Sequence, residues 1–289
     1  MRAFRFGIQY LWARSRAEWR AKVQQAEDWG FDVVLMPDHF PLDLAVVPAM
    51  MCAAEVSSRL RFGSLVFDND FRHPLVLARE VATLDLLTEG RFEMGLGAGW
   101  LPDEYQAAGL AFDRPGERID RLAEGVALIK GAFTGEKFSY QGQFYQAHDY
   151  VGQPRPVQRP HPPLLIGGGG QRVLSLAARE ADIVSLIFPL TRGGMGPGDL
   201  PVMDDAALAT RLGWLKEAAS QRFGDLELNL PIFWGAITDD PRKAAEPAAR
   251  ALGYTVDQAL ASHNLLFATL AGAVEELERR RQQFGISYF

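Results

Sequence analysis

The sequence predicts an α/β chain folded as one (β/α)8 TIM barrel over residues 1–289, with short insertions on the face where the strands end. Three observations predict it. Strand and helix signals alternate down the whole length until eight strands have been counted. The strands read as unbroken apolar runs, as in Val33-Val34-Leu35-Met36, which is the pattern of a parallel sheet buried on both faces. No linker or composition shift divides the 289 residues, and barrels routinely use this length as one domain. A doubly wound open sheet would suit fewer strands or two halves.

The elements follow in order. Phe4–Tyr10 reads as a strand, and Ser15 caps an amphipathic helix through Trp29 that Gly30 closes. Phe31–Met36 is the second strand and Pro48–Ser58 its helix. Leu60–Phe67 is the third strand, followed by a helix over Pro74–Thr88 with Gly90 as its stop. Arg91–Leu96 and a helix over Gly116–Phe133 form the fourth unit, and Phe138–His148 reads as a hairpin insertion around Gln141-Gly142. A Pro-rich stretch, Gln153–Pro163, crosses back to a fifth strand at Leu164–Ile166, with a helix over Gln171–Glu180. Asp182–Ile187 is a strand, Arg192–Pro201 a Gly/Pro-rich loop of high mobility, and Asp204–Arg222 a helix. Leu226–Ile237 is the seventh strand, Pro241–Leu252 and Val274–Phe284 are helices, and Gly285–Phe289 begins an eighth strand.

Composition narrows the function. With 48% hydrophobic and 23% charged residues the chain reads as soluble and globular, and a net charge of -6 argues against a nucleic-acid partner. The single Cys52 rules out an internal disulfide framework and reads as a small buried hydrophobe. The N-terminal residues lack the apolar core of a signal peptide, and no apolar run approaches a membrane span. A cytoplasmic protein without a membrane partner is expected. Lys22, Lys130, Lys137, Lys216 and Lys243 fall on helices or the hairpin approach, which disfavours a Schiff-base lysine on a strand. Asp38, His39 and His73 make a poor start on a metal site, no strand supplies a His-x-His, and His263 stands isolated, so no metal is expected. Glu93 reads as a strand carboxylate paired with an Arg for structure.

Barrels place their chemistry just past the carboxyl ends of the strands. The second strand ends in Asp38-His39, where an imidazole titrating near neutrality can orient or protonate a ligand, or can simply cap the next turn. The third strand leads through Ser64-Leu65-Val66-Phe67 into Asp68-Asn69-Asp70. The fourth leads through Gly97-Ala98-Gly99-Trp100 to Pro102-Asp103-Glu104. The glycines there read either as a wall against which a flat ring lies, with Trp100 beside it, or as a strand end trimmed for packing. Asp103 and Glu104 read as a solvated helix start or as one carboxylate at the cleft. The fifth strand runs through Gly167-Gly168-Gly169-Gly170 into Gln171-Arg172 and a helix. Glycine backbone, the first-turn amides, the helix dipole and Arg172 together suit a phosphate; the alternative is a turn without a ligand. Gln9, Tyr10, Trp12, Trp100, Phe188 and Trp234 form a candidate apolar substrate wall.

Phe4–Ile8, Pro37-Asp38-His39, Phe71-Arg72-His73-Pro74, Leu86–Phe92, Gly95–Trp100 and Leu165–Gly170, in this order, resemble the luciferase-like monooxygenase family, and within it the branch of coenzyme F420-dependent oxidoreductases. The resemblance implies a barrel with a flavin or deazaflavin across its mouth, and a homodimer. It places His39 beside the reactive edge of the ring with Asp38 next to it. It also sets a non-proline cis peptide at Leu65–Val66, and gives the cofactor phosphate to Gly168, Gly169, Gly170, Gln171 and Arg172. The cofactor-binding set it implies therefore comprises Asp38, Ser64, Leu65, Val66, Gly99, Trp100, Asp103 and these five residues, with His39 catalytic. Sugar-phosphate dehydrogenases of this branch carry an acidic residue where this chain has Trp100, and a Trp near the position of Asp43, which argues against glucose 6-phosphate as substrate.

Three readings of function follow. One is hydride transfer between coenzyme F420 and an apolar or planar organic substrate. Another is an FMN-dependent monooxygenase using reduced flavin and oxygen. The third is a flavin-binding barrel without turnover.

Overall fold

The computed structural model describes residues 2–190, 193–194 and 196–289. The chain divides into two compact units, Arg5–Ile166 and Gly167–Phe289 with the residues up to Phe4. No helix among the described residues is long and apolar enough to cross a membrane. Arg192, where the loop over Arg192–Pro201 is expected to start, and Met195 within it lie outside the described residues.

In chain order the first unit holds β1 (Gly7–Gln9), α1 (Arg16–Asp28), β2 (Val33–Met36), α2 (Val46–Ala54), β3 (Arg61–Ser64), β4 (Phe67–Asp68), α3 (Pro74–Leu87), β5 (Phe92–Gly97), α4 (Pro102–Ala108), α5 (Pro115–Thr134), β6 (Lys137–Gln141), β7 (Gln146–Val151) and the opening of β8 (Leu164–Gly168). The main strands run parallel, β1 beside β2, β2 beside β3, β3 beside β5 and β5 beside β8. All four residues of β2 are buried, as its unbroken apolar run predicts, and each contributes about 1.5–3 kcal/mol by leaving water. Glu93 is buried in β5 and accepts from Arg5 and from Arg61 Nε, the structural pairing expected of it. The Pro-rich return is fastened by Asp85 of α3, buried, whose carboxylate accepts from the amides of Val157 (2.6 Å) and Gln158 (2.9 Å).

The third strand departs from its expected span. It ends at Ser64, the Leu65–Val66 peptide is cis, and β4 resumes the pairing with β5 while the pairing with β2 stops at Ser64. The cis bond lies where the family resemblance sets it. α2 starts two residues earlier than expected, because Pro48 is tolerated in a first turn where its missing N–H costs nothing.

The second unit continues with α6 (Gln171–Glu180), β9 (Ile183–Leu186), α7 (Asp205–Ala219), a 3-10 turn at Ser220–Asp225, β10 (Glu227–Asn229), β11 (Trp234–Ile237), α8 (Pro241–Leu252), α9 (Val256–Ala261), β12 (Leu265–Ala268), α10 (Leu270–Phe284) and β13 (Ile286–Tyr288). β9, β10 and β13 are parallel neighbours. The expected strand over Leu226–Ile237 is in fact two. β10 stops before Pro231, which has no amide to give a ladder, and β11 leaves to pair with β12 as a separate parallel pair. Ala245, Ala248, Ala249, Ala259, Leu265 and Phe267 make the small core under that pair.

Candidate functional site

The end of β2 brings His39 against a carboxylate from α4. Its Nδ1 lies 2.9 and 3.1 Å from the two oxygens of Glu104, and the Phe40 amide donates to Glu104 Oε2 at 3.2 Å. Pro102 opens α4 at its first position, where a proline fits, and puts Glu104 in the first turn. Of the two carboxylates there, Glu104 is the one turned inward, 3% exposed, while Asp103 lies exposed. The structure thus turns the neighbour of Asp103, rather than Asp103 itself, toward His39. Adjacent helical residues point about 100° apart, so only one of the pair can face the strand ends. With Nδ1–H donated to the carboxylate, the neutral ring presents the lone pair of Nε2, and the protonated ring presents a second N–H. Trp100 stands edge-on to the imidazole, with centroids 5.6 Å apart and planes at 88°.

Asp38 is committed within the chain. It forms a 2.9 Å ion pair with Arg72, accepts from the Asp68 amide at 3.4 Å, and donates its own amide to Val66 O at 3.3 Å. Gln9 Nε2 donates to Leu65 O at 2.8 Å, so the cis segment is held from β1 and β2 together. Ser64 is buried and its hydroxyl is spent on Gly95, donating to the carbonyl at 2.7 Å and accepting from the amide at 3.0 Å. The one proton of that hydroxyl is thus committed to the sheet, while Leu65 and Val66 are half-buried.

Beneath the strand ends lies a cluster absent from the residues expected at the site. Tyr105, next to Glu104 and fully buried, points its hydroxyl 2.8 Å from both oxygens of Asp68 and 3.2 Å from Asp70 Oδ2. Asp70 pairs with Arg121 at 2.8 Å, and Arg121 also reaches Asp113. Burial pushes the Asp68 carboxyl up to about 7, and the neighbouring charges of Asp70 and Glu104 add to the rise. Burial, with Asp68 and Asp70, likewise raises the Tyr105 hydroxyl far above its ordinary value. Gly99 adopts φ +72°, and a Cβ there would stand 1.9 Å from Tyr105 Oη, so only glycine fits above this cluster. Within α4 the buried residues are the adjacent Glu104 and Tyr105, so no helical periodicity in the sequence marks this inward face.

The glycine turn of the second unit has a different logic at each position. A Cβ on Gly169 would lie 2.3 Å from Ile187 O and 2.5 Å from the Phe188 carbonyl carbon, so this glycine is required by packing. Gly170 is the N-cap of α6 at φ -94° and ψ 154°, offers no side-chain cap, and a Cβ there would meet nothing within 4 Å. The first turn of α6 thus starts with no capping side chain, an arrangement that suits a phosphate.

Of the expected substrate wall, Trp12 is 56% and Trp234 42% exposed. Tyr10 is half-buried and donates its hydroxyl to Lys22 O. Phe188 is not part of a wall: it is 3% exposed and packed with Leu200 and Met203 in a core.

A family model described as luciferase-like monooxygenase matches residues 5–194. An F420-dependent glucose-6-phosphate dehydrogenase of Kineococcus radiotolerans is 34% identical over 169 residues, covering 55% of this chain and 48% of that protein. An FMNH2-dependent dimethylsulfone monooxygenase of Pseudomonas putida is 36% identical over 109 residues, 38% of this chain and 30% of that protein. The matches thus span half or less of these relatives' own length. An F420-dependent secondary alcohol dehydrogenase, solved in complex with an F420–acetone adduct, aligns over 100% of this chain and 92% of its own with TM-score 0.77 at 18% identity. That likeness shows the fold, a (β/α)8 barrel of this kind.

Proposed function

The chain belongs to the luciferase-like monooxygenase family, and on that basis we propose that it is an oxidoreductase moving a hydride between coenzyme F420 and an apolar or planar organic substrate. The observation that carries this reading is the His39–Glu104 pair, because it leaves one ring nitrogen, Nε2, to give or take a proton at the end of β2. When bound, a deazaflavin supplies the hydride acceptor or donor. The protein's residues handle the proton and the anion. Glu104 orients the imidazole and compensates its charge. Leu65, Val66, Gly99 and Trp100 offer flat or backbone surface to a ring, and the amides at Gly170–Arg172 suit a phosphate group. The preference for an uncharged substrate is supported by Trp100 beside His39 and by the exposed Phe40, which stacks on Phe71 with centroids 4.2 Å apart. The same reading includes a homodimer in the cytoplasm.

A second reading, an FMN-dependent monooxygenase, is favoured by the likeness to the dimethylsulfone enzyme. Equilibrium binding of coenzyme F420 and of FMN to the purified protein, side by side, tests the choice. Tighter binding of F420 with turnover in the absence of oxygen is the expected result. Tighter binding of FMN with turnover that needs oxygen would replace the first reading with the second, and binding of either without turnover would leave a cofactor-holding barrel.

A further inference from the structure

We propose that Asp68 is a positioning residue that carries an extra proton, and that this proton sets the direction of the Tyr105 hydroxyl and couples it to the Glu104–His39 pair. The inference rests on the reading of His39 as the proton-handling group.

The argument begins with a count of protons. Three carboxylate oxygens lie within 3.2 Å of Tyr105 Oη, two from Asp68 and one from Asp70, yet a phenol has one proton to donate. Asp70 has a cation of its own, Arg121. Among the described residues no cation pairs with Asp68, which is 7% exposed, and its one further donor is the Asp70 amide at 2.9 Å. A buried carboxylate without a counter-charge is costly when ionised. If Asp68 is protonated, it donates to Tyr105 Oη, the phenol donates onward to Asp70, and Asp70 rests on Arg121. The Asp70 contact and one of the two Asp68 contacts then each have a proton. If Asp68 is ionised, the phenol must turn back to it and the contact to Asp70 goes without one.

The groups around Asp68 are accounted for element by element. At the end of β2, Asp38 accepts the Asp68 amide and is paired with Arg72. From α4 come Tyr105 and, one residue before it, Glu104. From the turn after β4 comes Asp70. From α5 come Arg118, which donates to Ala98 O and Gly99 O, and Arg121. The negative groups nearest the carboxyl, Asp70 and Glu104, both favour its proton, consistent with a carboxyl that titrates near 7. Glu104 and Tyr105 share one short helix, so the charge on Asp68 is felt by the carboxylate that grips His39. An ionised Asp68 adds a negative charge there and stabilises the imidazolium, so it raises the affinity of His39 for its proton.

The test follows the ring nitrogens of His39 by nitrogen NMR through a pH titration, with the signal assigned by a His39→Gln variant. In the unaltered protein the curve should show a second inflection where Asp68 titrates. Asp68→Asn should leave a single step, and Tyr105→Phe should move the second inflection to higher pH, because ionised Asp68 loses the donor that favours its charge. Asp70→Asn removes the repulsion that helps Asp68 keep its proton, so the second inflection should move to lower pH. A His39 curve unchanged in Asp68→Asn overturns the proposal. Should Asp68→Asn not fold, an unmoved inflection in Asp70→Asn overturns it as well. The titration needs neither cofactor nor substrate, so its failure and the failure of the redox reading are separate results.

Discussion

At the scale of single residues, His39 and His263 show how surroundings divide two identical rings. His39 keeps a quarter of its side chain exposed (24%) and offers its far nitrogen outward, with Glu104 behind it. His39→Ala should lower turnover by roughly 10²-fold or more, the range for lost acid–base help, while the dissociation constant of the cofactor changes less. Glu104→Gln should give a smaller loss, since an amide oxygen can still hold Nδ1–H but cannot balance an imidazolium. Wild-type turnover from a folded, cofactor-bound His39→Ala protein would remove the catalytic role. His263 is 1% exposed, with Nε2 held 2.7 Å from Asp205 Oδ1. Burial, then the nearby Arg280, holds its pKa below the ordinary value, and the Asp205 bond only partly offsets them. The unfolded chain therefore binds this proton more readily than the folded one. Its contribution to stability is present above the unfolded pKa of about 6.5 and is lost as pH falls below it. Melting temperature should drop on acidification from about pH 8 to pH 5, and His263→Gln should flatten part of that drop. Identical slopes in the two proteins would assign the acid sensitivity elsewhere.

At the scale of elements, the glycine turn separates packing from binding. Two neighbouring glycines look alike in sequence, but Gly169 sits against the Ile187 and Phe188 backbone, whereas Gly170 has open space before it. A β-branched residue at Gly169 is thus expected to damage the fold before it says anything about a ligand. Gly170→Val is the sharper probe: its backbone angles suit any residue, so the melting temperature should hold while affinity for the cofactor falls. Undiminished affinity there would take the anion site away from this turn. The same limit explains which elements were legible. β2, α1, α3 and α5 carry long periodic or unbroken apolar signals and were readable. β12 is four residues between the closely spaced α9 and α10, and β10 and β11 run together in sequence until Pro231 is weighed as a break. For the site, His39 and the cis segment were readable from order and resemblance, but Glu104 was not separable from Asp103 until the inward face of α4 was known. Asp68 and Tyr105 meet across 37 positions, a contact no local pattern encodes.

At the scale of the whole molecule, the alternation of strands and helices was sufficient for the barrel because each strand–helix unit repeats the same burial rule and needs no knowledge of its partner. How the chain behaves as a folding unit is a different matter, since the two compact units, Arg5–Ile166 and the remainder, each hold most of their contacts internally. Yet β8 is one strand whose residues through Ile166 pair with β5, while Gly167 and Gly168, its last two, belong to the second unit. The boundary therefore falls inside a hydrogen-bonded element, where a linker between independent domains would not. We predict one cooperative transition in scanning calorimetry, with calorimetric and van't Hoff enthalpies in agreement, as for a single domain. Two resolved transitions, or a calorimetric enthalpy well above the van't Hoff value, would instead mean that the units unfold separately and that the 289 residues are not one domain.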